Sequence, residues 1–254
     1  MPPTDASTDT GAGPPPQLAG GSPAPQLAGG VEDTLDLRLP EEFLALFRED
    51  EASAGPEQVD TAAAGDLLDA PAEWGSVTTS LGAFQLVPVR IERDLALTTH
   101  WMNDPAVAAF WEMAGPDSVT AAHLRTQLGG DGRSVPCLGV LGGIPMSYFE
   151  LYRADLDPLA RHYPARPHDT GIHLLVGGVA DRGRGIGSTL LRAVTDLVLD
   201  HRPRCARVIA EPDLRNTPSV AAFLSAGFRF SAEVDLPDKR AALMVRDRAL
   251  RNLL

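Results

Sequence analysis

Arg182-Gly183-Arg184-Gly185-Ile186-Gly187-Ser188 is the stretch that decides how this chain folds. It follows an alternating run over 170–176, with Ile172, Leu174 and Val176 on one side, that Gly177-Gly178 closes. It leads into a helical pattern over 186–199 carrying Ile186, Leu190, Leu191, Val194, Leu197 and Val198. Glycines let backbone N–H groups turn toward an anion, and a helix N-terminus adds partial positive charge. Arg182 and Arg184 add full charges, so the segment suits a pyrophosphate. A Walker loop would need Gly-Lys-Ser/Thr, which is absent. A dinucleotide fingerprint needs G-x-G-x-x-G after an early strand, whereas the spacing here is G-x-G-x-G after a late one.

Downstream, a strand over 206–211 precedes a helix over 218–226 that Gly227 closes, and strands follow over 228–234 and 241–246. Upstream, the pattern predicts a strand over 77–90 and helices over 93–103, 106–113 and 120–128, with Asp104-Pro105 as a break. Strands over 137–141 and 145–153 flank Gly142-Gly143 as a hairpin, and 154–169 reads as a polar loop. The class is α/β: an antiparallel meander followed by a β-α-β unit.

The first third of the chain has another texture. Residues 1–34 are a Pro/Gly/Ala-rich tail in which Pro16-Gln17-Leu18-Ala19-Gly20-Gly21 returns as Pro25-Gln26-Leu27-Ala28-Gly29-Gly30. Residues 35–50 hold a short amphipathic helix opened by Pro40-Glu41-Glu42, with Phe43, Leu44, Leu46 and Phe47 as a docking stripe. Residues 51–73 read as an acidic linker, which leaves 74–254 as the main domain. The net charge of −12 disfavours nucleic acid, whose binding needs basic surface. No apolar run is long enough for a membrane span, and the first residues lack the pattern of a secretory signal. Cys137 and Cys205 fit neither a disulfide framework nor zinc spacing, so no metal and a cytoplasmic location are expected.

Arg-x-x-Gly-x-Gly over 182–187 resembles the CoA loop of the GNAT superfamily of N-acetyltransferases, Gln/Arg-x-x-Gly-x-Gly/Ala. Asn216 with Ala222-Phe223-Leu224-Ser225-Ala226-Gly227-Phe228 resembles that family's second motif. The resemblance implies a GNAT fold, with a mixed central sheet, helices on both faces and acyl-CoA wedged where two parallel strands splay. It implies cofactor contacts from Leu174, Val176, Arg182, Gly183, Arg184, Gly185, Ile186, Gly187 and Asn216.

A narrower resemblance, spread over most of 84–248, is to the siderophore-biosynthesis acyltransferases, the aerobactin-type hydroxylysine acetyltransferases and mycobactin lysine acyltransferases. It rests on five stretches in order: His100-Trp101-Met102-Asn103-Asp104-Pro105 with Phe110-Trp111; Pro145-Met146-Ser147-Tyr148-Phe149-Glu150-Leu151-Tyr152; His168-Asp169-Thr170-Gly171-Ile172-His173; Glu211-Pro212-Asp213-Leu214-Arg215-Asn216; and 234–244 around Asp238-Lys239-Arg240. Nothing in residues 1–70 takes part. The implied reaction moves an acetyl, succinyl or longer acyl group from acyl-CoA, or from a carrier protein's phosphopantetheine arm. The acceptor is the side-chain nitrogen of lysine, N6-hydroxylysine or a related diamine, and an acylated hydroxylamine is a hydroxamate that chelates ferric iron.

Acyl transfer to nitrogen needs a neutral amine, a polarised thioester and a protonated leaving thiolate. His173 is the expected base, on the strand face opposite Ile172 and Leu174, and the resemblance pairs it with Asp213, which orients the ring or binds the acceptor's ammonium; the plain alternatives are a core histidine and a turn aspartate. Asn216 holds the pantetheine arm or caps the next helix. Glu150 and Tyr152, two apart on one strand, line the acceptor pocket, protonate the thiolate or form a solvated face. His100, Trp101 and Trp111 shape the acceptor lid or pack a core, and Lys239 meets the acceptor's α-carboxylate or sits in a polar turn. His123, His162, His168 and His201 are expected on the surface. Two other readings stand beside this one: a GNAT enzyme for another small amine, and a non-catalytic CoA-binding module.

Overall fold

The computed structural model describes residue 68 and residues 71–253; the expected tail over 1–34 and helix over 35–50 lie outside the described residues, as does most of the expected linker. What is described of that linker belongs to the domain. Leu68 is buried in the main core, Pro71–Trp74 forms a 3-10 turn, and Trp74 stacks on His201 with ring centroids 5.5 Å apart. The packed domain therefore begins before residue 74.

The single strand expected over 77–90 is a hairpin. Strand β1 (Ser76–Thr79) turns at Ser80-Leu81 into β2 (Gly82–Pro88). Thr79 Oγ1 donates to the Gly82 carbonyl at 2.7 Å, and Gly82 sits at φ 127, which a side chain would oppose. Helices α1 (Ile91–Met102), α2 (Pro105–Trp111) and α3 (Asp117–Leu128) follow. Asp104 caps α2 by accepting from Ala106 N at 2.9 Å, and Pro105 takes the first helical position, where no N–H is needed. Strands β3 (Ser134–Leu141) and β4 (Ile144–Arg153) turn at Gly142-Gly143 as expected. Then come β5 (Thr170–Val176), α4 (Ile186–His201), β6 (Arg207–Ala210), α5 (Thr217–Ser225), β7 (Arg229–Asp235) and β8 (Arg240–Asp247).

The eight strands form one mixed sheet in the order β1-β2-β3-β4-β5-β6-β8-β7. Among the described residues, β5 and β6 make its one parallel pair. Their ladder is Thr170↔Val208 and Gly171↔Ile209 and stops there, while β5 stays paired with β4 to Val176. From His173 onward the edge of β5 facing β6 is therefore unpaired, and the sheet opens into a V.

Strand alternation sorts side chains onto two faces. On one, Phe84, Phe149, Ile172, Val208 and Met244 pack with Leu190, Val194 and Leu197 of α4. On the other, Leu138, Tyr148 and Leu175 pack with Trp101, Met102 and Leu124 of the first helices. Farther along that second face, Tyr152, Ile209 and Leu243 pack with Leu159 and Tyr163 of the 154–169 segment, which Asp169 and Arg207 tie down at 2.5 Å. Glu150 lies between Tyr148 and Tyr152 on β4, so it falls in the gap between these two smaller cores.

Candidate active site

A cleft of about 620 Å³ opens where β5 and β6 part, bounded by Leu174 and Val176 of β5, the start of α4, and Asn216 and Ala222 around α5. Gly183 and Gly185 sit at φ 71 and 78, the left-handed region glycine enters at little cost, and Gly185 is the N-cap of α4. Gly183, Gly185, Gly187 and Ser188 line the cleft, so it borders the start of α4, where helix polarity favours an anion. A Cβ at Gly187 would lie 3.7 Å from Val176 and 3.9 Å from Ala222, ordinary contacts that match a motif accepting Gly or Ala there.

Arg182 lines the cleft and also ties the loop down. Its Nε and Nη2 donate to the Val176 and Gly177 carbonyls, each at 2.9 Å, and Nη1 meets Asp104 Oδ1 at 2.7 Å. The whole guanidinium clamps the end of β5 to the N-cap of α2 and holds the Asp104 carboxyl below its usual range. Arg184 is exposed and does not line the cleft, and the Ile186 side chain is buried in the core, leaving its backbone at the helix start. Asn216 caps α5, its Oδ1 accepting from Ser219 N at 3.2 Å, and it also lines the cleft.

A second cleft, of about 310 Å³, shares Phe110, Trp111, Leu174, Asn216 and Ser219 with the first. His173 stands in its wall, opposite Glu150 in the β4–β5 register. His173 Nδ1 lies 3.0 Å from Glu150 Oε2, and Nε2 contacts Glu211 Oε1. A ring facing a carboxylate at each nitrogen is satisfied only when both nitrogens carry protons. Burial works against that charge, but Glu211 and Glu150 outweigh it and raise the imidazole to about 10. Burial likewise pushes both carboxyls up, and their partners reverse it. His123 and His173 hold Glu150 well below the carboxylate range, and His173, with help from Lys239 and Tyr152, holds Glu211 at about 2.

An outer ring fixes this triad. His123 Nε2 reaches Glu150 Oε1 at 2.6 Å from α3, and Tyr148 donates to the same oxygen at 2.9 Å. Tyr152 donates to Glu211 Oε2 at 2.5 Å, and Lys239 Nζ is 3.6 Å from Glu211 Oε1. Trp111 packs edge-on to both Tyr148 and His173, with centroids 5.6 and 6.1 Å away.

Several expectations change. Asp213 does not pair with His173: its carboxylate takes Arg215 at 2.6 and 3.0 Å, which holds it below the usual range. Glu211 continues the β6 alternation onto the site face, whereas beyond Pro212 the chain bends so that Asp213 bridges to Ala241. Tyr152 supports rather than lines, since it lies buried beneath Gly171, where a Cβ would sit 2.0 Å from its ring. Trp101 is buried against Gly177, and His100 is exposed off the buried stripe of α1; neither lines a cleft. His123, expected on the surface, joins the site; His168 is half-buried and His201 stacks on Trp74, while His162 is exposed. Glu211 and Tyr148 were visible in the sequence as the residue opening Glu-Pro-Asp and as a same-face neighbour of Glu150, but alternation alone does not say which carboxylate meets the histidine. Among the described residues no group of three His, Cys, Asp or Glu is placed to hold a metal, and no helix is long and apolar enough to cross a membrane.

Residues 90–236 match the acetyltransferase (GNAT) domain family. A lysine N-acyltransferase, MbtK, of Mycolicibacterium paratuberculosis is 38% identical over 154 residues, covering 61% of this chain and 69% of its own length. An N(6)-hydroxylysine O-acetyltransferase of Escherichia coli is 39% identical over 150 residues, and the chain spans about half of it, 47%. Among solved structures, an uncharacterised protein from Bacillus halodurans superposes with a TM-score of 0.66 at 31% identity, over 70% of this chain and 92% of its own. AAC(6')-Ib bound to paromomycin and acetyl-CoA gives 0.57 at 25% identity, over 65% and 94%. The splayed β5–β6 pair, the glycine turns entering α4 and these matches place the chain in the GNAT acetyltransferase family, as an acyl-CoA-dependent N-acyltransferase.

Proposed function

We propose that this protein acylates the side-chain nitrogen of a lysine-type acceptor, lysine or N6-hydroxylysine or a related diamine, in the building of a hydroxamate siderophore. The observation that carries the reading is His173 held between Glu150 and Glu211 in the wall of the second cleft, next to Leu174, which lines both clefts. The larger cleft takes the pantetheine thioester, with its pyrophosphate on the N–H groups at the start of α4. The acceptor nitrogen enters the smaller cleft beside Trp111.

The nitrogen attacks the thioester carbonyl, the C–N bond forms and the C–S bond breaks. A carboxylate, Glu211 or Glu150, takes the proton that nitrogen loses, and the His173 imidazolium gives one to the departing sulfur. One proton leaves nitrogen and one reaches sulfur, so the site returns to its starting charge after a single transfer within the triad. Histidine is thus the acid of the pair, the reverse of the base expected from its sequence position. Asn216 and the free edge of β5 line the path of the pantetheine arm.

Thiol release from acetyl-, succinyl- and long-chain acyl-CoA, with lysine or N6-hydroxylysine as acceptor, tests this. Turnover is expected with at least one pair, reduced about 100-fold or more in His173→Ala, within the range for general acid–base groups. CoA binding without thiol release from any pair would reject the acceptor class. Replacing CoA with a carrier-borne thioester in the same assay identifies the donor.

A further inference from the structure

The acceptor cleft shares Phe110, Trp111, Asp213 and Lys239 with a hollow of about 70 Å³ whose remaining charged walls are Glu112, Arg215 and Asp238. Both signs of charge meet there on a firm frame. Leu214 N donates to the Arg240 carbonyl at 3.0 Å, Ala242 N donates to that of Pro212 at 2.9 Å, and Asp213 bridges to Ala241. These bonds hold the Asp213–Arg215 segment alongside the turn that carries Asp238 and Lys239. Arg215 gives Nε and Nη2 to Asp213, feels the Glu112 carboxylate across the hollow, and leaves Nη1 without a hydrogen bond among the described residues. Among the described residues, no side-chain hydrogen bond or ion pair engages Glu112 or Asp238. Glu112 caps α2 at φ 52, an unusual conformation for a glutamate, beside the Trp111 that walls both spaces.

We propose that this hollow binds the α-carboxylate and α-ammonium of a free amino-acid acceptor, with Lys239 and Arg215 on the carboxylate and Glu112 and Asp238 on the ammonium. The proposal rests on the acceptor reading above and narrows it: the enzyme takes a zwitterion-headed amino acid in preference to a simple diamine. The reach fits. The side-chain nitrogen of lysine lies five bonds from its Cα, about 6 Å when extended at bond lengths of about 1.5 Å. Lys239, 3.6 Å from Glu211 and lining both spaces, stands where a substrate passes from one to the other. Opposite charges at fixed positions select a zwitterion, because removing either group of the ligand leaves a charged wall without its partner.

The experiment compares N6-hydroxylysine, its methyl ester, its Nα-acetyl derivative and N-hydroxycadaverine at saturating acyl-CoA. It is accompanied by calorimetric binding of lysine and cadaverine to the CoA-loaded full chain. Losing the carboxylate or the ammonium is expected to lower kcat/KM about 10- to 100-fold, the scale of one charge-assisted hydrogen bond. Arg215→Gln is expected to shrink the preference for hydroxylysine over hydroxycadaverine, read as the ratio of their kcat/KM values in the same preparation. Glu112→Gln with Asp238→Asn is expected to erase discrimination against the Nα-acetyl derivative. Hydroxycadaverine turned over as well as hydroxylysine, or discrimination untouched by these variants, overturns the subsite. Absence of turnover with all four acceptors rejects the acceptor reading, and lysine binding no tighter than cadaverine then rejects the subsite as well.

Discussion

His173 is the residue on which the chemistry turns, and its two carboxylates define what can be measured. Because Glu211 and Glu150 raise the ring to about 10, its ionic contribution to stability is fully present below an ordinary imidazole pKa of about 6.5 and fades as pH rises through 10. The carboxylates, held below their usual range, contribute in the opposite sense and lose their share as pH falls toward about 2. Melting temperature against pH should therefore show wild type and His173→Gln converging at both extremes and diverging most between about pH 5 and 6.5. Glu211→Gln should bring the His173 titration, followed by ring proton resonances, toward neutrality and lower kcat at least 10-fold, whereas Asp213→Asn should leave that titration in place. The reverse ranking would restore the His173–Asp213 pairing expected from sequence. That pairing misled because spacing along a chain does not reveal where a strand ends: Glu211 keeps the alternation of β6, and Pro212 carries Asp213 out of it.

At the scale of elements, the loop entering α4 was legible because positive φ and a helix start leave glycine in the sequence. The clamp made by Arg182 was not, because the carbonyl partners of a guanidinium leave no mark in the sequence. Arg182→Ala should lower stability by about 2–3 kcal/mol through lost charge-assisted bonds and raise KM for the acceptor as well as the donor, since α2 carries Phe110 and Trp111. An effect confined to the donor would mean that the Asp104 clamp does not matter in turnover. Gly177→Ala would push a Cβ to within 2.1 Å of Trp101, and about 1–3 kcal/mol of destabilisation is expected in denaturant melts.

For the whole molecule, the β-α-β half and the meander were legible from periodicity, and the start of the domain was not. A Leu67-Leu68 pair between two aspartates carries no period, yet Leu68 is 2% exposed in the main core. A chain beginning at residue 59 should fold and bind CoA, while one beginning at residue 75 should be less stable by several kcal/mol, having lost buried Leu68 and Trp74 at about 1.5–3 kcal/mol each. Equal urea midpoints for the two would show that the early segment contributes nothing. The site itself could not be assembled from sequence, because its residues come from α3, β4, β5, the end of β6 and the β7–β8 turn, and only the sheet order makes them neighbours.

The stack of Trp74 on His201 has an optical consequence. The chain has three tryptophans, and each reports on a different place: Trp74 on the edge of α4, Trp101 behind the lid, and Trp111 edge-on to His173. Indole emission follows its surroundings, so Trp74 reports when its stack on His201 opens, while the light from Trp111 follows what fills the clefts. Two single-tryptophan proteins would thus separate, by colour and brightness alone, a loosening of the domain's edge from the arrival of a substrate.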